Sequence, residues 1–175
     1  QTEVSLMLMV RSLFVLVAAH LAATSLSAQR TWNVPASEFP AAVQAAAPGD
    51  ILLVSGTGSF LVGITIQKPL AIHGLPGAEL NVFGGGLVID NIPAGQSLVF
   101  QGIRTRTIDV RNCAGSVLIA DVVLDALQGV DLTIDNSADV TLEGGDWRGL
   151  MNIRTSSVTL AQSFLRGKSL GRGSV

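Results

Sequence analysis

The segment VTLEGGDWRG (Val140–Gly149) is followed eighteen residues later by VTLAQSFLRG (Val158–Gly167). Five of the ten positions agree, and each segment begins with an alternating, strand-like triplet and ends on Arg-Gly. A segment repeated at such a short spacing indicates an architecture built from one stacked unit. The fold therefore depends on whether the rest of the chain repeats with a similar period.

The middle of the chain does repeat, as an apolar run that closes on a polar turn residue. A second strand-like run follows each of these units, and their last residues are 21, 24 and 19 positions apart. The units are LVIDN (Leu87–Asn91), IDVRN (Ile108–Asn112), LTIDN (Leu132–Asn136) and MNIRT (Met151–Thr155). Two or three short strands in each period of about 20 residues predict an all-β fold, a single-stranded parallel β-helix. Val140 and Leu142 would then stack on Val158 and Leu160.

The residue that ends each unit forms a second pattern. Asn91, Asn112 and Asn136 recur there, and Thr155 takes the fourth place. Asparagine tolerates a left-handed backbone and can bond neighbouring backbone groups. We interpret the three asparagines as a structural turn stack.

Other repeat and β architectures fit less well. A leucine-rich repeat would show its Leu-x-x-Leu-x-Leu spacing, whereas the strands here are rich in Val and Ile. Helical repeats need a sustained 3.6-residue period, and none follows Ala47. A two-sheet β-sandwich would be built from antiparallel hairpins, which a strict repeat register does not favour.

Composition narrows the classes of function. Charged residues make up 14% of the 175 residues and the formal net charge is −2, so no basic surface for nucleic acid is expected. Cys113 is the single cysteine, which rules out an internal disulfide or a multi-thiolate metal site. We expect Cys113 to be a small apolar core residue near a turn.

The first 28 residues have the pattern of a secretory signal peptide. Arg11 precedes an apolar stretch of fourteen residues, 13–26, and small residues follow it up to Ala28. The stretch is shorter than the about 20 residues of a transmembrane helix. We therefore expect a secreted, cell-surface or periplasmic protein that starts near Gln29 and has no membrane span after signal removal.

A capping segment is expected next, in residues 29–58, and coils in residues 59–175. Ser37 is the predicted N-cap of a short Ala-rich helix that has Pro40 in its first turn and stops at Pro48-Gly49. A buried strand, Ile51–Val54, follows the helix. The order FPAAVQAAAPGDILLVSGTG, then ITIQKPLAIHG, resembles the opening of the pectin-lyase-like right-handed parallel β-helix superfamily of secreted bacterial proteins. The resemblance covers Trp32–Gly167 and implies the fold; the superfamily includes lyases, hydrolases, epimerases and non-catalytic adhesins.

Lyases of that superfamily hold Ca²⁺ in a carboxylate cluster, with an Arg or Lys as the base. Here Asp90 and Asp135 share one repeat position, but Arg111 and Arg154 occupy it in the alternate coils. We interpret this column as an outward ladder of alternating charge. No catalytic, cofactor-binding or metal-binding residue is therefore expected in this segment, and Ca²⁺ is expected only if the parent protein is a lyase. The candidate sugar contacts are Asp135, Arg154 and Trp147.

The leading hypothesis is an exported parallel β-helix scaffold, surface or polysaccharide-binding module. The alternative is the N-terminal part of a polysaccharide lyase or glycoside hydrolase that acts on acidic polysaccharide. Glycosidase chemistry requires two positioned carboxylates, and His73-Gly74 is the only hydrolase-like motif present. Because KSLGRGSV, at the end of the chain, shows no capping pattern, we expect a truncated solenoid whose last coil can self-associate.

Overall fold

The computed structural model describes residues 28–165, with backbone alone at 125–131, 148, 149, 164 and 165. The predicted signal segment, apart from Ala28, and the C-terminal KSLGRGSV lie outside the described residues. The described chain is a parallel β-solenoid of about six coils with one short α-helix near its start. The predicted fold class is confirmed, because every described strand pair is parallel.

The strands form three faces, which we number in the order in which the chain visits them. Face 1 contains β1 (Thr31–Pro35), β2 (Ile51–Ser55), β5 (Ala71–Gly74), β8 (Ser97–Gln101), β11 (Ser116–Ala120), β13 (Asp139–Glu143) and β15 (Val158–Ala161). Face 2 contains β3 (Thr57–Phe60), β6 (Glu79–Val82), β9 (Arg104–Thr105) and β16 (Phe164–Leu165). Face 3 contains β4 (Ile64–Ile66), β7 (Leu87–Asp90) and β10 (Ile108–Arg111). The long strands β12 (Val123–Asp135) and β14 (Asp146–Arg154) run through both face 2 and face 3.

The coils stack in the register that the repeat predicts. Val140 pairs with Val158 and Leu142 with Leu160 on face 1. Inward residues alternate with outward ones along each strand, because successive side chains of a strand point to opposite sides. The inward residues of successive coils therefore lie on one another and form a single continuous core.

A short helical cap covers the first coil. A 3-10 turn, Ala36–Glu38, leads into α1 (Phe39–Ala45), and Phe39 and Val43 of α1 are buried against the solenoid. The prediction that Ser37 caps the helix is wrong, because Ser37 lies inside the 3-10 turn and the N-cap is Glu38. Pro40 does lie in the first turn, where its missing N–H costs nothing.

The carboxylate of Asp50 joins this cap to β1. It accepts hydrogen bonds from the backbone N–H of Arg30 (2.9 Å), the backbone N–H of Ala47 (2.9 Å) and the indole Nε1–H of Trp32 (2.9 Å). The Arg30 N–H is the main cause that lowers the pKa of Asp50 below its ordinary 3.8. The ionised carboxylate of Asp50 therefore contributes fully to stability above pH 3.8. This contribution is lost as the pH falls through the lowered pKa of the folded state.

Lys68 closes the other end of α1. Its Nζ donates hydrogen bonds to the carbonyl oxygens of Val43 (3.2 Å), Gln44 (2.6 Å) and Ala46 (2.9 Å). The last carbonyls of a helix have no partner within it, and a cation there also opposes the helix dipole. Lys68, which opens the segment Lys68-Pro69-Leu70, therefore caps the C-terminal end of a helix more than twenty residues upstream.

Replacing Lys68 with Met is expected to lower the free energy of unfolding by about 2 kcal/mol, because charge-assisted hydrogen bonds to three carbonyls are lost while the aliphatic chain stays. Urea denaturation followed by circular dichroism measures the change. Gln67→Met is the matched control, because the amide of exposed Gln67 makes one hydrogen bond, to Asp90 (3.0 Å). Equal losses in the two variants would contradict the capping role.

Candidate functional site

The outer surface of face 3 carries the polar column that the sequence predicts. Asp90, Arg111, Asp135 and Arg154 are aligned across successive coils by strand pairing. The neighbouring outward column, two residues earlier along each strand, is Val88, Asp109, Thr133 and Asn152. Asp135 and Arg154 are direct partners across coils, so the structure brings these two candidate sugar contacts together.

Arg111 binds carboxylates on both columns. Its Nε lies 3.5 Å from Asp90 Oδ1, and its Nη1 lies 3.7 Å from Asp109 Oδ2. Asp90 lies opposite Arg111 on the neighbouring strand, where opposite charges support each other, whereas Asp109 lies two residues earlier on the same strand. The guanidinium of Arg111 is therefore held by two aspartates.

Asp109 has an unfavourable environment for a negative charge. It pairs with Val88, which faces outward yet is only 8% exposed. Burial is the main cause that raises the pKa of Asp109 above 3.8; Arg111 opposes the rise, and Asp135 and Asp90 add to it. A carboxyl with a raised pKa near other carboxylates is the kind of group that can exchange a proton.

Replacing Asp109 with Asn should modestly stabilise the fold at neutral pH. A raised folded pKa means that the charged form weakens the fold, so the penalty is absent below pH 3.8 and appears as the pH rises through the folded value. The melting temperature of Asp109→Asn should exceed that of the native protein at pH 7 and match it at pH 3. Glu143→Gln, at an exposed carboxylate on face 1, controls for the loss of one charge. A lower melting temperature for Asp109→Asn at pH 7 would show that the pairing with Arg111 outweighs burial.

The turn stack lies at the corner where face 3 leads into face 1. Asn91, Asn112 and Asn136 have φ angles of 59°, 54° and 45°, and Thr155 continues the stack at 46°. The amide of Asn136 donates to Asn112 Oδ1 (3.1 Å), and the amide of Asn112 donates to Asp90 Oδ1 (3.1 Å). The left-handed backbone and the side-chain ladder together fix this corner in each coil.

A shallow groove follows this corner across three coils. Its volume is about 620 Å³, and it runs beside Asp135 and Arg154. The lining residues are the turn residue of each coil and the two small residues that follow it: Asn112, Cys113, Ala114, Asn136, Ser137, Ala138, Thr155, Ser156 and Ser157. We call this feature the corner groove. The asparagines are predicted from the sequence, but the groove is not. Its sequence signal is the small residue two positions after Asn112, Asn136 and Thr155.

Serine hydroxyls build the floor of the corner groove. The Oγ of Ser137 donates to the Asp135 carbonyl (3.0 Å), and Ser156 Oγ donates to the Arg154 carbonyl (2.6 Å). The same Ser156 oxygen accepts the backbone N–H of Ser137 at 3.1 Å. These two serines are therefore occupied by structural hydrogen bonds, and so are the exposed amides of Asn112 and Asn136. Thr155 and Ser157 add exposed hydroxyl groups to the groove.

Two further residues singled out from the sequence, Cys113 and His73, are part of the folded framework. Cys113 is buried with its Sγ 3.3 Å from the Arg111 carbonyl, and burial raises the pKa of the thiol. The expectation that Cys113 is a core residue is confirmed. His73 lies in strand β5, where it pairs with Leu53.

Trp147 is also a core residue. It is 4% exposed, and it pairs with Leu124 across coils. A sugar stacks on an accessible ring face, and this ring has none to offer. Trp147 therefore lies in the core, whereas the other two candidate sugar contacts, Asp135 and Arg154, lie on the surface.

Among the residues whose side chains the structure describes, no group of three or more His, Cys, Asp or Glu is arranged to hold a metal ion. Residues 28–165 contain no helix with the length and apolarity to span a membrane. The chain matches no family model, no curated protein and no solved structure.

Proposed function

We propose that this β-helix scaffold is an exported, pectin-lyase-like module that binds a polysaccharide along the corner groove. The observation that carries the proposal is the position of the groove beside the Asp135–Arg154 pair, where both are repeated in register with the coils. Adjacent strands repeat about every 4.8 Å, so the surface presents an amide or a hydroxyl group at the turn position of each coil, beside a column of charges that alternate in sign. A polymer of repeated sugar units can therefore bind to these groups at several successive coils.

Charge indicates which class of polysaccharide is preferred. The outer columns of face 3 contain three carboxylates, Asp90, Asp109 and Asp135, against two guanidinium groups, Arg111 and Arg154. Arg111 already binds two of these carboxylates. A surface with a slight excess of negative charge favours a neutral polysaccharide over an acidic one.

The test is a binding screen of residues 29–175 against neutral and acidic polysaccharides, with and without calcium. Ser157→Arg places a bulky side chain at the exposed edge of the corner groove, whereas Thr159→Arg adds the same side chain on the outer surface of face 1. The first variant should weaken binding about tenfold or more, equivalent to about 1.4 kcal/mol. The second should bind like the native protein. Equal binding by both variants would place the sugar elsewhere.

A catalytic role on acidic polysaccharide is the second candidate. The observation that favours it is the raised pKa of Asp109, which lies between Asp90 and Asp135 on the same face. Depolymerisation in the same screen, abolished by Asp109→Asn, would support an enzyme. Binding without cleavage supports the module alone.

A further inference from the structure

Three large apolar side chains project into solvent at the corner between face 2 and face 3. Leu61 is 85% exposed, Val62 is 73% exposed and Phe83 is 58% exposed. They lie on the loops β3–β4 and β6–β7, in neighbouring coils. We call these three residues the apolar corner. Single exposed apolar residues are ordinary, but a contiguous group marks a surface that contacts something else.

The loops that carry the apolar corner are packed directly on each other. The backbone N–H of Phe83 donates to the Phe60 carbonyl (2.8 Å), and that of Ile64 donates to the Gly86 carbonyl (3.1 Å). A Cβ on Gly84 would overlap the carbonyl oxygen of Leu61, so glycine is needed for the two loops to approach. The backbone thus holds the apolar side chains outward on a fixed base.

A cation lies at the edge of the apolar corner. The guanidinium carbon of Arg106, from the next coil, lies 4.6 Å from the centre of the Phe83 ring. This contact positions a positive charge beside exposed apolar groups. Projecting apolar side chains with a neighbouring cation match the layered chemistry of a lipid surface, with acyl chains below and anionic headgroups above.

The size of the apolar corner helps to decide between a lipid and a protein partner. Three side chains expose at most a few hundred Å², whereas a stable protein interface buries about 800 Å² on each partner. Insertion into a lipid surface needs no complementary partner and gains free energy with each buried methylene group. We propose that the apolar corner inserts into the surface of an anionic lipid membrane, with Arg106 at the level of the phosphates.

Co-sedimentation with vesicles tests this inference. The protein is purified from Gln29 onward, since the apolar stretch 13–26 would itself enter lipid. Native protein should sediment with vesicles of phosphatidylcholine and phosphatidylserine. The double variant Leu61→Ser, Val62→Ser should lower the partition coefficient about a hundredfold, that is, about tenfold for each side chain. Arg106→Gln should lower it about fivefold on these vesicles and leave it unchanged on phosphatidylcholine alone.

Leu75→Ser is the matched control, because Leu75 is 41% exposed and lies at a different corner of the solenoid. It should bind vesicles like the native protein. The double variant should melt at the native temperature, because the side chains of Leu61 and Val62 face solvent. Native protein that stays in the supernatant with anionic vesicles would overturn the inference. So would a dimer, measured by light scattering, that the double variant dissociates while vesicle binding is unchanged; a second copy would then be the partner.

Discussion

Replacing Phe100 with Ala is expected to lower the free energy of unfolding by about 3–5 kcal/mol. Phe100 is fully buried on face 1, between Ile72 of the preceding coil and Ile119 of the following one. Removing the ring leaves a cavity between three coils, and each coil depends on its neighbours for burial. The loss is a large part of the 5–15 kcal/mol that stabilises a typical domain. Guanidinium denaturation followed by circular dichroism measures it.

Two further variants keep this prediction testable if Phe100→Ala does not fold. Val99→Ala truncates the half-buried neighbour that faces outward, and it should cost less than about 1 kcal/mol. Phe100→Leu keeps most of the volume and should cost about 1.5 kcal/mol. A larger loss for Val99→Ala than for Phe100→Leu would mean that Val99, and not Phe100, faces the core, which would contradict the prediction.

The coils could be predicted from the sequence because a solenoid repeats its local chemistry. Val140 and Val158 share a repeat position, and the strands pair them. Asn112 and Asn136 share another, and both adopt left-handed backbone there. In each case the same residue type meets the same physical demand in each coil, so sequence periodicity and spatial register carry the same information.

The features outside the repeat could not be predicted in this way. Lys68 caps α1 through contacts with residues 22–25 positions away, and no periodic signal marks so distant a partner. The sequence also does not fix the direction of the Trp147 side chain. Gly144 and Gly145 interrupt the chain before its strand, so the inward–outward alternation of the preceding strand does not carry over to Trp147. The apolar corner depends on loop stacking, which only the backbone geometry of the glycines reveals.

The corner groove is an intermediate case. Its asparagines were predicted as a structural stack, and the small residues beside them are visible in the sequence. Small side chains become a groove only when successive coils align them, as they do for Ala114, Ala138 and Ser157. Function in a solenoid is therefore expected where repeat positions converge along the axis, rather than in any one coil.

The second large effect on stability is expected at Gly115, which directly precedes β11 at the corner between face 3 and face 1. Replacing Gly115 with Ala is expected to lower the free energy of unfolding by about 3–5 kcal/mol, through overpacking and the loss of two hydrogen bonds. A Cβ on Gly115 would overlap the carbonyl oxygens of Pro93 and Gln96. Neither oxygen can move freely, because Pro93 O accepts the N–H of Gln96 (3.1 Å) and Gln96 O accepts the N–H of Ser116 (3.0 Å).

Gly95→Ala is the matched control for this effect, since it makes the same chemical change in the preceding turn. Gly95 has a φ of 75° but no atom within 4 Å of an added Cβ, so Ala there meets only the left-handed backbone cost of about 1 kcal/mol. Urea denaturation of both variants separates the two costs. A loss for Gly115→Ala no larger than that for Gly95→Ala would mean that the turn before β11 can shift away from β8. The coils at this corner would then be less tightly coupled than their hydrogen bonds imply, and the floor of the corner groove could adjust to a ligand.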